Sequence, residues 1–353
     1  MSDAFLILEN GAVFKGRSFG EETETVGEIV FSTGMTGYME TLSDPRYFGQ
    51  IVLQTFPPVG NYGVIREEMR SPNVHLKAYI VREWCREPSN FRSEGNLDNF
   101  LRSNRIPGLF DIDTRALTRI IRDNGTMNAM VSKTAELSED QWAKLREHKI
   151  TGAVAAVKQG DGPFVSHFET KDPSPCFKVA LWDFGDAFRM AEELIARGCA
   201  PVICRYDMTA DDIFAGNPDG VVLSEGPGDP AENTGIIREI KKLCYKNIPI
   251  FGVGLGHQML ALARGAKTEK LPFGHHGANQ TVKECGTGRV FVTSQNHGFA
   301  VARDLLPAAA ELSYINLNDE TCEGLDYSDI PAFSVQFTPT EEILTRFGRR
   351  LCR

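Results

Sequence analysis

Between residues 179 and 263 short apolar runs alternate with helical stripes, and this alternation restricts the chain more than any other feature it has. Val179–Trp182, Pro201–Cys204, Gly220–Leu223 and Ile248–Val253 read as strands. Between them a helix runs through Leu194 to Arg197. A second covers Thr234–Cys244 with Ile236, Ile237, Ile240 and Leu243 on one face, and an apolar third covers His257–Ala263. Strands alternating with helices predict a parallel sheet with crossover helices. In such sheets ligands bind beyond the carboxyl ends of the strands. Chemistry is therefore expected at two Gly-rich turns, Ser224-Glu225-Gly226-Pro227-Gly228-Asp229-Pro230 and Gly254-Leu255-Gly256.

The first half reads differently. Ala4–Leu8 and Val13-Phe14 flank Asn10-Gly11, a hairpin signal because both residues tolerate positive φ. Gly27–Phe31 and Gln50–Leu53 are further strands, with residues 33–47 a loop holding a helical turn. Asp113–Arg122 is a helix, with Asp113 and Thr114 as caps, Leu117, Ile120 and Ile121 as its apolar stripe, and Asn124-Gly125 as its stop. Gly and Pro crowd residues 158–177. The expected organisation is a strand-rich domain over 1–157, a linker over 158–177 and an α/β domain over 178–353. The 353 residues match two domains at about 150 residues each.

Net charge excludes some partners. Lys and Arg total 38 against 47 Asp and Glu, leaving −9. Nucleic acid and anionic membranes need clustered positive charge, so neither is an expected partner. No apolar run approaches the roughly 18–20 residues of a spanning helix, and Met1–Glu9 lacks the basic start of a secretion signal. The expectation is a soluble cytoplasmic chain with reduced thiols. Its eight cysteines are dispersed without a CxxC pair, so no metal is expected.

Taken singly, the motifs leave bland readings open. A strand-to-helix turn at Phe251-Gly252-Val253-Gly254-Leu255-Gly256-His257-Gln258 would activate a nucleophile and offer it an oxyanion hole, but Gly254 carries no side chain. As a dinucleotide fingerprint it fails, because His257 stands where a third Gly is needed. A plain tight turn remains open. Gly226-Pro227-Gly228 is either a backbone cradle for an anion or an ordinary turn. Phe273-Gly274-His275-His276-Gly277 and Gln295-Asn296-His297-Gly298-Phe299 place two His clusters in the second domain. Their spacing fits structural roles better than a metal site.

Together the four motifs resemble a class I glutamine amidotransferase domain, and more narrowly the small subunit of carbamoyl-phosphate synthase. Thr36-Gly37-Tyr38, Asp44-Pro45, Gly60-Asn61-Tyr62-Gly63 and Asp113-Thr114-Arg115-Ala116-Leu117-Thr118 resemble that subunit's own first domain. The resemblance implies an α/β fold: a strand-rich N-terminal domain followed by a class I glutamine amidotransferase-like, flavodoxin-like parallel-sheet domain. It implies a Cys at the turn attacking glutamine, with a His base oriented by a Glu in a His-Pro-Glu element. Ammonia then passes to a large subunit that binds ATP and Mg, makes carbamoyl phosphate for arginine and pyrimidine synthesis, and leaves this chain without a cofactor. The implied glutamine contacts present here are Gly226, Gly228, Leu255, Gln258, Asn296, Gly298 and Phe299.

Four positions depart from the pattern. The nucleophile position is Gly254, the His and Glu positions are Thr338 and Thr340, and Arg46 stands where the family places a Ser that touches glutamine. Gly forms no thioester, and a Thr hydroxyl is no base near neutral pH. The expected function is therefore a structural or allosteric small subunit, its own hydrolysis lost, serving a large subunit that uses free ammonia. An alternative is a free-standing amino-acid-binding regulator. A third reading gives the nucleophile's role to Cys244 or Cys285, neither of which lies on a strand-to-helix turn. The arginines of the tail, Arg346, Arg349, Arg350 and Arg353, are expected on a solvated helical face.

Overall fold

Asn10-Gly11 closes a hairpin between β1 (Asp3–Leu8) and β2 (Val13–Gly20), with Leu6 opposite Phe14. Gly11 takes φ +89°, and Asn10 Oδ1 accepts the Ala12 N–H at 3.0 Å. This computed structural model describes residues 2–158 and 177–352. The linker expected over 158–177 therefore lies almost wholly outside the described residues, as do Cys176 and Arg353. The chain forms two units, Met1–Thr151 with Leu271–Ala278, and Gly152–Lys270 with Asn279–Arg353.

In the first unit follow β3 (Thr25–Ser32), α1 (Tyr38–Ser43), β4 (Gln50–Gln54), β5 (Pro58–Val59), β6 (Ala78–Ile80), β7 (Glu83–Trp84), α2 (Leu97–Ser103), β8 (Pro107–Phe110), α3 (Thr114–Asn124), β9 (Met127–Ser132) and α4 (Glu139–Glu147). Strands β1-β2-β8-β6-β4-β3-β9 close a barrel in that order. Leu6, Ile29, Ile51, Leu53, Ile80 and Val131 belong to one of its buried clusters, which α3 joins through Leu117 and Ile121. Helix α3 starts where Asp113 Oδ1 accepts the Ala116 N–H at 3.0 Å and stops at Gly125, φ +86°.

Residues 271–278 belong to this unit too. Phe273 stacks on Phe31 with ring centroids 6.1 Å apart, and His276 stacks on Tyr47 at 5.8 Å. The Thr126 N–H donates to the Pro272 carbonyl at 2.6 Å. This corrects the expectation that His275, His276 and His297 share the second domain, because His297 lies in the second unit. Contacts made far away in sequence hold 271–278, and no local signal marks it. Residues 152–157, expected with the first domain, group with the second unit.

The second unit contains α5 (Ala153–Ala156), β10 (Phe177–Asp183), α6 (Phe188–Ile195), β11 (Cys199–Arg205), α7 (Ala210–Ala215), β12 (Gly220–Leu223), α8 (Thr234–Cys244), β13 (Ile250–Val253), α9 (Leu255–Ala263), the two ends of β14 (Thr268–Glu284) outside Leu271–Ala278, β15 (Val290–Val301), β16 (Ala310–Asn316), β17 (Cys322–Tyr327), β18 (Ala332–Val335) and α10 (Glu341–Leu351). The described strands form one sheet, β11-β10-β12-β13-β18-β17-β15-β14-β16, parallel as far as β18 and antiparallel from there to β17. Val221 and Leu223 face α8 and α9 on one side, while Val222, Phe251 and Phe333 face α6 and α10 on the other. A sheet covered on both faces explains why these strands read as continuous apolar runs.

The tail is a solvated face only in part, for Arg349 is exposed while Arg346 and Arg350 are half-buried. Ile343, Leu344, Phe347 and Leu351 of α10 are buried. The guanidinium carbons of Arg346 and Arg350 lie 4.3 and 4.8 Å from the Phe333 ring centroid, and Arg346 Nη2 lies 2.5 Å from Asp326 Oδ1. Arginine stems and planes cover aromatic surface well, so two of the tail's cations are spent on packing. No described helix is long and apolar enough to cross a membrane.

Candidate functional site

The turn from β13 into α9 lies at the carboxyl edge of the parallel sheet. Gly254 sits there with φ 54° and ψ −113°, a conformation that strains any residue with a β-carbon. Three backbone hydrogen bonds fix it. The Gly254 N–H donates to the Val335 carbonyl at 2.9 Å, the Gln258 N–H to Gly254 at 3.2 Å, and the Gly256 N–H to Ser224 at 3.0 Å. A β-carbon on Gly256 would overlap the Leu223 carbonyl, so glycine there lets α9 lie directly against β12.

The Gly-Pro-Gly loop folds onto this helix start. A β-carbon on Gly226 would lie 2.9 Å from Leu255 Cδ2. Gly228 takes φ +88° and packs against Ala153. Among the described residues, the Leu255 and Gly228 N–H groups have no hydrogen-bond partner. Donors at a helix start suit an anion. Gly226, Leu255 and Gly254 are thus brought together.

Two carboxylates at this edge escaped the sequence reading. Glu225 lies inside the quoted turn, and Asp183 ends β10; carboxylates at the ends of parallel strands were the available signal. Glu225 is 7% exposed. Its carbonyl accepts the Asp186 N–H at 3.2 Å and the Ser224 hydroxyl at 2.9 Å. A β-carbon on Gly254 would lie 3.0 Å from Glu225 Cγ and 3.5 Å from its Oε1.

Burial and, to a lesser extent, the nearby Asp186 push the Asp183 carboxyl from 3.8 to about 6, although the Gly185 N–H bonds its Oδ1 at 2.8 Å. The folded state holds this proton above the pH at which the unfolded chain releases it. The contribution to stability is therefore present below the unfolded value of 3.8 and lost as pH rises through about 6. Asp183→Asn is expected to gain about 2 to 3 kcal/mol relative to the unaltered chain between roughly pH 4 and pH 7. Urea unfolding across that range checks this, and a difference that stays flat with pH would sink it.

The remaining candidates lie across β18 and β15. The Thr338 N–H donates to the Ser294 carbonyl at 3.0 Å, while its buried hydroxyl has no partner among the described residues. Thr340 precedes α10 at the cap position but makes no side-chain cap bond. Gln258 is buried, and its Nε2 donates to the Phe299 carbonyl at 2.6 Å and to Gln336 Oε1 at 2.9 Å. Asn296, Gly298 and Phe299 lie half-buried on β15. A β-carbon on Gly298 would meet no atom within 4 Å, so packing does not require glycine there.

Among the described residues, neither His257 nor Cys244 nor Cys285 takes the place of the substituted groups at the turn. His257 is fully buried with Nδ1 2.8 Å from Ser334 Oγ, and burial lowers its pKa to about 3, leaving a neutral ring inside the fold. Cys244 ends α8, and burial raises its thiol to about 11. Cys285 follows β14. Neither stands at residue 254.

Arg46 belongs to the barrel unit, in the turn Pro45–Tyr47. Its Nε lies 2.9 and 3.1 Å from the two Asp44 carboxylate oxygens, and its Nη2 lies 2.8 Å from Oδ2. Asp44 and Arg46 are only 5% and 9% exposed.

Two family descriptions match this chain. The carbamoyl-phosphate synthase small chain, CPSase domain, matches residues 6–131, and glutamine amidotransferase class-I matches residues 180–353. The carbamoyl phosphate synthase small chain of Clostridium perfringens is 46% identical over 336 residues, covering 95% of this chain and 93% of that one. The chain belongs to the carbamoyl-phosphate synthase small-chain family. The small chain of Bacillus caldolyticus is 43% identical, covering 95% of this chain and 90% of its own. That of Listeria monocytogenes is also 43% identical, covering 96% and 92%. The position that the resemblance implies for a nucleophile is the Gly254 turn, and the position it implies for a His is Thr338, three residues past β18.

Proposed function

We propose that this chain is a carbamoyl-phosphate synthase small subunit that has lost glutamine hydrolysis and supports a large subunit fed by free ammonia. One observation carries the reading: the backbone turn that presents a nucleophile is intact, yet residue 254 carries no side chain. Thr338 adds to it, since a hydroxyl takes no proton near neutral pH. ATP and Mg would be held by the large subunit, with no cofactor on this chain. The product would serve arginine and pyrimidine synthesis in the cytoplasm. The small subunit's contribution is then structural or allosteric.

A free-standing amino-acid regulator would draw on the same Gly226, Gly228 and Asn296. Against it, Gln258 already spends its amide on Phe299 and Gln336. The deciding experiment reconstitutes the chain with a carbamoyl-phosphate synthase large subunit and assays product from each nitrogen source. Ammonium salts are expected to support synthesis and glutamine is not. Glutamine-driven synthesis sinks the reading, and failure of the two chains to associate favours the regulator.

A further inference from the structure

We infer that the Glu225 side chain fills the space a nucleophile at residue 254 would need, so that the turn is blocked by a carboxylate as well as emptied of its thiol. The inference rests on reading Gly254 as the nucleophile position. Its geometric basis is independent of any activity. The β-carbon direction at Gly254 is set by φ 54° and ψ −113°, and the first atoms it meets are Glu225 Cγ at 3.0 Å, Cβ at 3.4 Å and Oε1 at 3.5 Å. A contact of 3.0 Å is tighter than side-chain carbons usually adopt, so a residue larger than glycine forces Glu225 to give by a few tenths of an ångström.

Displacement is hindered. Glu225 is 93% removed from solvent, being 7% exposed. Its backbone is pinned by the Asp186 N–H at 3.2 Å and the Ser224 hydroxyl at 2.9 Å. The loop that follows is packed on Leu255, where a β-carbon on Gly226 would lie 2.9 Å from Leu255 Cδ2. Charge acts in the same direction as bulk. A carboxylate beside a thiol opposes its ionisation, and a carboxylate beside an oxyanion opposes the tetrahedral intermediate. A cysteine restored alone is therefore crowded and held as the thiol, and shortening Glu225 relieves both effects at residue 254.

Thiol alkylation tests this without requiring glutamine turnover. The full-length variants Gly254→Cys, Gly254→Cys/Glu225→Gln and Gly254→Cys/Glu225→Ala would be treated with iodoacetamide. Modification at residue 254 is read by peptide mass spectrometry against the exposed Cys285 and Cys352 as internal references. Glu225→Ala is expected to speed alkylation at 254 by roughly tenfold or more. Glu225→Gln, which keeps the bulk and removes the charge, is expected to fall between. An acceleration by Glu225→Ala below about threefold overturns the inference.

If the cysteine variants do not fold, a thermal cycle of Gly254→Ala, Glu225→Ala and the double variant replaces them. Recovery of at least half the Gly254→Ala loss in Tm supports the block, and additive losses overturn it. A parallel glutaminase assay on the unaltered chain separates the two proposals. Turnover there removes the proposed function, whereas the alkylation rates speak only to Glu225.

Discussion

At saturating glutamine the chain is expected to release ammonia roughly 10⁴- to 10⁶-fold more slowly than an amidotransferase with an intact nucleophile and base. On the proposed reading each chemical step lacks its group. Gly254 offers no atom to attack the amide. The Thr338 hydroxyl is no base, and His257 is neutral, fully buried and bonded toward Ser334. The Leu255 N–H remains at the helix start, yet with no covalent intermediate there is no oxyanion for it to stabilise. Groups that act as a unit are strongly non-additive, so restoring only one of them regains little. A coupled ammonia assay on the purified chain checks this. Turnover within tenfold of an intact glutaminase, abolished by Gln258→Ala or Asn296→Ala, would show that the site works after all.

Arg46→Ala is expected to destabilise the chain by about 3 to 5 kcal/mol, the usual cost of stranding one partner of a buried ion pair. The pair is closed on both sides, with Nε at 2.9 Å from Asp44 Oδ1 and Nη2 at 2.8 Å from Oδ2. Burial alone would raise the Asp44 carboxyl. The guanidinium groups of Arg46 and then Arg70, with the hydrogen bonds from Arg46, instead hold it well below the usual carboxylate range. Stability from a carboxyl depressed in this way is present above its unfolded value of 3.8 and is lost as pH falls below it. Arg46→Ser, which restores the residue the family resemblance expects, is predicted to cost as much as Arg46→Ala, because it too removes the bidentate partner of the buried Asp44 carboxylate and leaves only the more weakly acting Arg70 to offset its burial. Denaturant unfolding near pH 7 checks both, and a loss below about 1 kcal/mol would mean that the buried pair contributes no more than a surface one.

Local patterns were readable where local physics decides them. Gly220–Leu223 and Thr234–Cys244 carry their observed bounds in the sequence, because a buried parallel strand and an amphipathic helix each declare themselves within a few residues. Asp113 and Gly125 marked both ends of α3 for the same reason. Barrel closure, with β9 returning to β1, has no such signature, since it pairs residues far apart in sequence. The packing of Leu271–Ala278 with the barrel is equally non-local. Arginines at 346 and 350 look like a solvated face until Phe333, on another strand, is placed beneath them.

The candidate site divides along the same line. Covalent identity belongs to the sequence: no fold can supply a thiol at Gly254 or an imidazole at Thr338, so the proposed loss of hydrolysis rests on the residues themselves. Occupancy belongs to the tertiary structure. Glu225 precedes the Gly-Pro-Gly loop, Gln258 looks free to meet a ligand, and Arg46 looks like a cation facing a substrate. Folding instead sets Glu225 against Gly254, spends the Gln258 amide on Phe299 and Gln336, and closes Arg46 on Asp44. Side chains in a buried, close-packed interior satisfy their polar atoms and fill space with whatever neighbours the topology delivers, and those neighbours are chosen by distance in space rather than along the chain.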